Sequence, residues 1–179
     1  NANVERLMEM GATVFVGHDG AHVGAVSLVV VSTAVSPENP EYQAAGKKGI
    51  PLWHRSELLA AISQEFKSLC VAGTHGKTTT TSLVGELLED GGVDPTIING
   101  GIINRFGSNA KMGRGEWCVA EADESDGSFT RFFPDIAIVT NMNLDHMDHY
   151  GSESELVAAF HQFIGNIKPQ GTAVLCIDH

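Results

Sequence analysis

Basic residues are scarce in this chain: 11 Lys and Arg stand against 22 Asp and Glu, for a formal charge of −11. So acidic a surface repels nucleic acid and anionic membranes, which excludes both as general partners, and any phosphate ligand must be captured locally. Long apolar runs are also missing. The longest, near Ala25 to Val31, falls well short of the roughly 20 residues a membrane helix needs. Cysteine is sparse, and Cys70, Cys118 and Cys176 lie far apart, in apolar strand-like runs and without metal-ligand spacing. They are expected to be buried thiols of a reducing compartment, which predicts the cytoplasm. No internal repeat or low-complexity tract is present, and 42% apolar with 18% charged residues is ordinary for a globular chain.

What is present is an alternation of helix and strand periods. Before residue 67 the pattern predicts a helix at Val4–Met10 and strand-like runs at Thr13–Gly17 and Ser27–Ser32. A helix at Glu38–Lys48, a short strand at Ile50–Trp53 and a helix at Ser56–Phe66 follow. From Lys67 onward it predicts a strand ending at Ala72, a helix closed by Gly91-Gly92, and a turn-rich segment from Asn99 to Gly115. Strands at Trp117–Ala120 and Ile136–Thr140, a helix at Glu153–Ile167 and a strand at Ala173–Ile177 complete the pattern. The fold class is α/β. An incomplete Rossmann-like domain over residues 1–66 precedes a P-loop-type α/β domain over 67–179. The first begins in a helix without a preceding strand and glycine-rich turn, and the second stops in mid-fold, so the chain is expected to be a truncated piece.

The strongest signal is Val71-Ala72-Gly73-Thr74-His75-Gly76-Lys77-Thr78-Thr79, which joins an apolar strand to a helix through a Gly-Lys-Thr turn. An isolated Gly-x-x-Gly is usually an ordinary turn. Here Leu69–Ala72 precede it as a buried strand, and Leu83, Val84, Leu87 and Leu88 follow at helical spacing. Glycines let backbone N–H groups converge on phosphate oxygens, and the helix presents its positive end to the same anion. Lys77 suits the β- and γ-phosphates, and the Thr78 hydroxyl suits Mg²⁺. Only Thr74 and His75 separate the two glycines, so the loop is a shortened variant of the common pattern.

Two polar clusters follow later strands. Glu121-Ala122-Asp123-Glu124-Ser125-Asp126 sets four carboxylates together, which repel unless cations or donors compensate them. A carboxylate such as Glu121, at a buried strand's end beside a phosphate loop, is a second anchor for Mg²⁺, whereas a solvated acidic turn is the plainer alternative. Asn141-Met142-Asn143-Leu144-Asp145-His146-Met147-Asp148-His149-Tyr150 follows another strand. Here His146 is a candidate ligand for a second metal ion; a surface or capping role is the alternative, and the weaker candidate is His149. The neighbours are hard oxygen donors, which makes zinc the less suitable metal. Since ligands of open α/β sheets gather at the carboxyl ends of strands, Gly73, Glu121 and Asn141 are expected to face one crevice.

Together these three segments resemble the Mur ligase family over nearly the whole chain. Val14–Gly17 with His18, and Val29–Val35 followed by Pro37-Glu38-Asn39-Pro40, are similar to that family's UDP-binding domain. The resemblance implies that Gly73, Thr74, His75, Gly76, Lys77, Thr78 and Thr79 bind ATP, with Asn141 beside the nucleotide. It also implies that Thr78 and Glu121 hold one Mg²⁺ and His146 a second, with Lys77, Glu121 and His146 as the catalytic set. His18, Ser32 and Thr33 are implied as contacts to UDP, each equally open to a structural role, and His75, Ser125, Asp126 and Arg131 as contacts to the sugar-nucleotide. The implied reaction joins L-alanine to the lactyl carboxylate of UDP-N-acetylmuramate through an acyl phosphate, in peptidoglycan precursor synthesis. A ligase that attaches a preformed tripeptide to the same sugar-nucleotide, a folate polyglutamylating ligase and a non-catalytic nucleotide-binding module stay open. By itself the chain is expected to be inactive, because a further domain must close over the site.

Overall fold

In the computed structural model, which describes residues 2–145 and 147–178, the helix expected from Glu38 begins at Pro40, with Asn39 as its N-cap. The Asn39 side chain accepts from the backbone N–H groups of Glu41 and Tyr42, at 2.9 and 3.3 Å, and Pro40 occupies the first helical position. The chain divides into two units, Asn1–Leu58 and Leu59–His179. The first contains α1 (Ala2–Glu9), a 3-10 turn at Gly20–His22, β1 (Val29–Val31), α2 (Pro40–Lys48) and β2 (Leu52–His54). The strands β1 and β2 pair in parallel, Val29 opposite Leu52 and Val31 opposite His54. The division falls inside α3 (Arg55–Gln64), just before the expected boundary at residues 66 and 67.

Thr13–Gly17, expected as strand-like, forms none. Val16 is fully exposed and Phe15 stacks on His22 with ring centroids 4.0 Å apart. A strand needs a neighbour to take its N–H and C=O groups, and an apolar run does not show whether one exists.

The second unit is built on a six-stranded sheet ordered β5-β4-β6-β3-β7-β8. Its strands are β3 (Lys67–Ala72), β4 (Thr96–Ile103), β5 (Ser108–Lys111), β6 (Trp117–Glu121), β7 (Ile136–Val139) and β8 (Thr172–Leu175). All neighbours are parallel except β4 and β5. From Ser68 to Ala72, β3 is buried at every position, as a central parallel strand covered on both faces must be. Its alternation sorts the two cores. Leu69 and Val71, with Val119, meet Val84 and Leu88 of α4 (Lys77–Asp90). Cys70 and Ala72, with Cys118, Ala120 and Ala137, meet Phe129 and the Leu156, Phe160 and Phe163 face of α6 (Glu153–Gly165). Small residues on that side leave depth for three phenyl rings, with Phe129 edge-on to Phe160 at 5.0 Å.

Other differences from the sequence reading have local causes. Part of the turn-rich segment from Asn99 is the β4–β5 hairpin, and its register shifts between Ile98 and Ile103, around Gly100 and Gly101. Glycine there marks a bulge instead of a loop. Leu83 and Leu87 lie on the exposed side of α4, so its apolar stripe is wider than its buried face. Cys70 and Cys118 are buried, and burial pushes the Cys118 thiol up to about 11, which leaves it inert. Cys176 is exposed, contrary to expectation, because it follows β8, an edge strand whose residues are all exposed. Among the described residues no helix is long and apolar enough to cross a membrane.

Phe163 is fully buried between the sheet and Phe129. Phe163→Ala is expected to cost about 3–5 kcal/mol of unfolding free energy, read from urea denaturation; a loss below about 1 kcal/mol would place this ring outside the core.

Candidate active site at the carboxyl edge of the sheet

The parallel pairing of β3 with β6 and β7 brings three carboxyl ends to one edge. In register, Val71 stands beside Glu121, and Ala72 beside Val139. The loop leaving β3 crosses directly over the end of β7. Gly73 has φ +130°, and a Cβ there would lie 2.2 Å from Thr140 Oγ1 and 2.9 Å from the Asn141 carbonyl, so only glycine permits the crossing. Thr140 Oγ1 donates to the His75 carbonyl at 2.6 Å. The Asn141 side chain clamps the His75 peptide from both sides: Oδ1 accepts its N–H at 2.9 Å and Nδ2 donates to its carbonyl at 2.8 Å. Thr74, nearly buried, receives the Asn143 N–H on Oγ1 at 2.9 Å.

Gly76 is the N-cap of α4, at φ +83°, and has no side chain to satisfy the first-turn N–H groups. Those donors face the loop, which is the physical basis of an anion site at a helix start. Lys77 turns back over the loop. Its Nζ donates to the Gly73 carbonyl at 2.7 Å and the Thr74 carbonyl at 3.3 Å, and it pairs with Glu124 Oε2 at 2.8 Å. The Thr78 hydroxyl donates to Glu121 Oε1 at 3.2 Å. Glu121 Oε2 accepts the Gly100 N–H at 2.7 Å, and a Cβ on Gly100 would sit 2.7 Å from that oxygen.

The four crowded carboxylates thus meet different donors. Glu121 takes the Thr78 hydroxyl and the Gly100 amide, and Glu124 takes Lys77. Asp123 accepts the Ser125 N–H at 3.1 Å and Asp126 the Ser128 N–H at 3.0 Å, as Asx turns do. Thr78 and Glu121 form a hard oxygen pair of the kind Mg²⁺ accepts beside substrate phosphates. Among the described residues no cluster of three or more His, Cys, Asp or Glu is arranged to hold a metal.

The structure therefore brings Gly73 to Thr79, Glu121 and Asn141 together. Ser125 and Asp126 lie on the loop after β6, with Arg131 exposed on the short 3-10 helix Ser128–Arg131 beyond it. His75 Nε2 is 3.3 Å from Asp145 Oδ2, across the two loops. His146 lies outside the described residues. His18, Ser32 and Thr33 belong to the other unit, where His18 Nδ1 is 2.9 Å from Glu41 Oε2, and Ser32 and Thr33 follow β1. Glu124, Thr140 and Gly100 were not singled out by the sequence reading. Glu124 stood in plain view within the acidic run, but composition does not tell which of four carboxylates faces the lysine.

Tyr150, at the end of α5 (Met147–Tyr150), donates its phenol to the Glu124 carbonyl. Burial first, and then the charges of Glu124, Asp126 and Asp123, push this phenol up to about 12. Two measurements test this frame. Gly73→Ala should lower unfolding free energy by about 1–3 kcal/mol through the strained crossing; unchanged stability would remove the close approach to Thr140. The fold favours the neutral phenol, so its contribution is intact below the ordinary value of about 10 and is lost as pH rises toward about 12. Thermal melts of Tyr150→Phe should accordingly fall less steeply over that alkaline window; identical slopes would show that Tyr150 does not couple to folding.

The family model "Mur ligase middle domain" matches residues 71–179, and "Mur ligase family, catalytic domain" matches residues 1–67. A UDP-N-acetylmuramate--L-alanine ligase of Methylobacterium radiotolerans is 55% identical over all 179 residues, which cover 38% of its length. Among solved structures, the UDP-N-acetylmuramate-alanine ligase MurC of Thermotoga maritima is 31% identical with a TM-score of 0.86, over 98% of this chain and 41% of that one. The UDP-N-acetylmuramate:L-alanyl-gamma-D-glutamyl-meso-diaminopimelate ligase of Neisseria meningitides is 26% identical with a TM-score of 0.87, over 98% of this chain and 60% of that one. This chain spans about 38% of the length of the curated relatives it matches. By the family models that cover both of its parts, the chain belongs to the Mur ligase family.

Proposed function

We propose that this chain serves the ATP-dependent joining of L-alanine to the lactyl carboxylate of UDP-N-acetylmuramate, a step of peptidoglycan precursor synthesis in the cytoplasm. The observation that carries the reading is the meeting of Lys77, Thr78 and Glu121 at one sheet edge, around a helix start whose cap residue has no side chain. The likeness of the whole chain to L-alanine ligases supports the choice of substrates.

In this reading residues 67–179 bind ATP and residues 1–66 bind UDP. The N–H groups of Gly73 to Thr79 hold the phosphates, and Asn141 keeps the loop's His75 peptide in place beside the nucleotide. Thr78 and Glu121 would hold Mg²⁺, which supplies positive charge that spreads the anionic charge of phosphoryl transfer. His146 is assigned to a second such ion on sequence alone. His75, Ser125, Asp126 and Arg131 are assigned to the sugar-nucleotide, and His18, Ser32 and Thr33 to its UDP part.

The chemistry is the attack of one anion on another. A lactyl carboxylate oxygen bonds to the γ-phosphorus as the bond to the ADP oxygen breaks, and Lys77 lowers the repulsion between the partners. The L-alanine amine then attacks the acyl phosphate carbonyl, loses a proton, and expels phosphate to leave the amide. ATP is consumed because a free carboxylate is too poor an electrophile for an amine.

Phosphate release in a polypeptide of the relatives' length carrying this sequence is expected to require both UDP-N-acetylmuramate and L-alanine. Lys77→Met should lower it by a factor on the order of 10²–10³, the usual cost of one transition-state charge donor. Release that proceeds without either substrate, or that needs a tripeptide in place of L-alanine, overturns the assignment.

A further inference from the structure

Lys77 carries three N–H donors, and the structure provides three acceptors: the Gly73 carbonyl at 2.7 Å, the Thr74 carbonyl at 3.3 Å and the Glu124 carboxylate, 2.8 Å away at Oε2 and 3.1 Å at Oε1. The ammonium that the proposed reading gives to the nucleotide phosphates is thus already engaged. Two of the three acceptors belong to the loop itself and travel with it. The third is a charged group brought from a different strand end, 47 positions further along the chain.

Glu124 is an unusual residue for that place. Its side chain is 1% exposed and that of Lys77 12%, so the pair lies at the inner wall of the cradle, shielded from water. A carboxylate is taken out of water at a large cost, and a charge-assisted pair with an ammonium offsets it. The backbone of Glu124 is fixed as well. Its carbonyl accepts the Tyr150 phenol and the Gly127 N–H, the latter at 3.0 Å, so the carboxylate is presented from a braced loop.

We propose that Glu124 is a positioning residue that acts through Lys77: an internal counter-anion that the nucleotide's terminal phosphates displace on binding and that recaptures the lysine when they leave. The inference rests on the nucleotide reading of the cradle given above. An incoming β-phosphate gains a donor from Lys77 only in exchange for one of the three present acceptors. Glu124 is the one whose own negative charge opposes the newcomer. The carboxylate therefore weakens the hold on every nucleotide with a β-phosphate, and after phosphoryl transfer it hastens the departure of ADP. A ligase that must release ADP once per cycle gains turnover from such a competitor. AMP, which stops at the α-phosphate, is indifferent to it.

The test uses a polypeptide of the relatives' length carrying this sequence, titrated by calorimetry with AMP, ADP and a non-hydrolysable ATP analogue. Glu124→Gln keeps an oxygen for Lys77 and removes the charge; it should bind ADP and the analogue about tenfold more tightly, a shift well within reach of one unit charge at this range. Its AMP affinity should stay unchanged, and Glu124→Asp, which retains the charge, should stay near the unaltered chain. Unchanged or weaker ADP binding in Glu124→Gln overturns the inference, as does a parallel loss for AMP and ADP, which would mark a purely structural role. If Lys77→Met binds ADP as tightly as the unaltered chain, the cradle reading itself fails, and that outcome is distinct from the first. Each variant is checked by its thermal melt. Should Glu124→Gln not fold, the ¹⁵N–¹H ammonium resonance of Lys77 in the unaltered chain decides: it must move on saturation with ADP, and a resonance left in place overturns the exchange.

Discussion

Parallel pairing of β3 with β6 on one side and β7 on the other is the constraint from which the site follows. Parallel strands end on the same edge, so the residues just past Ala72, Glu121 and Val139 meet whatever their separation in sequence. Each contributes a different chemical type there. The β3 end supplies N–H donors and an ammonium, the β6 end supplies carboxylates, and the β7 end supplies a hydroxyl and an amide. The first-turn N–H groups of α4, left without a side-chain cap at Gly76, converge on the same edge, which is why an acidic chain can carry an anion site. Of the two carboxylates there, Glu124 meets the Lys77 ammonium, and Glu121 meets the neutral Thr78 hydroxyl and Gly100 N–H.

That pairing holds because the two faces of the sheet are filled differently. Alanine and cysteine at positions 70, 72, 118, 120 and 137 make one face shallow, and the rings of Phe129, Phe160 and Phe163 fill the depth. Larger residues at 69, 71 and 119 meet the narrower contact of α4 on the other. Phe129 lies on the 3-10 helix that follows the acidic loop, so burying this ring anchors the loop carrying Glu124. Core packing and site geometry are joined at that residue, and the site inherits the rigidity of the core.

The legible parts of the molecule were those written locally. The strand, loop and helix around Gly73 to Thr79 lie within one short stretch, and each element has its own signal there: a continuous apolar run, close-set glycines, then helical spacing. The end positions of β6 and β7 followed from apolar runs that stop at polar clusters. What stayed hidden depends on partners. Thr13–Gly17 has the composition of a strand and no strand beside it, while the hairpin from Thr96 to Lys111 was masked by glycines that serve a bulge. Cys176 was expected to be buried because its neighbours are apolar, yet an edge strand without a covering layer exposes them all. Glu124 could be seen but not ranked, since the choice of carboxylate that meets Lys77 is made by the turn between Glu121 and Gly127, where backbone direction reverses.

The shortness of the phosphate loop explains the remaining polar contacts. With only Thr74 and His75 between its glycines, the loop has too few residues to close a ring of amides by itself, and most of its hydrogen bonds are made with residues outside it. Those bonds come from the segment after β7: Thr140 and Asn141 hold the His75 peptide, and the Thr74 hydroxyl and the Asn143 N–H hold one another. The cradle is therefore a two-loop structure, one loop shaping the other. Such an arrangement couples them mechanically. The same bonds fix the direction of the 74 and 75 peptides, and His75 Nε2, 3.3 Å from Asp145 Oδ2, extends the contact between the two loops. Removing one of those bonds therefore leaves a polar group of the other loop without its partner, so neither loop keeps its geometry alone.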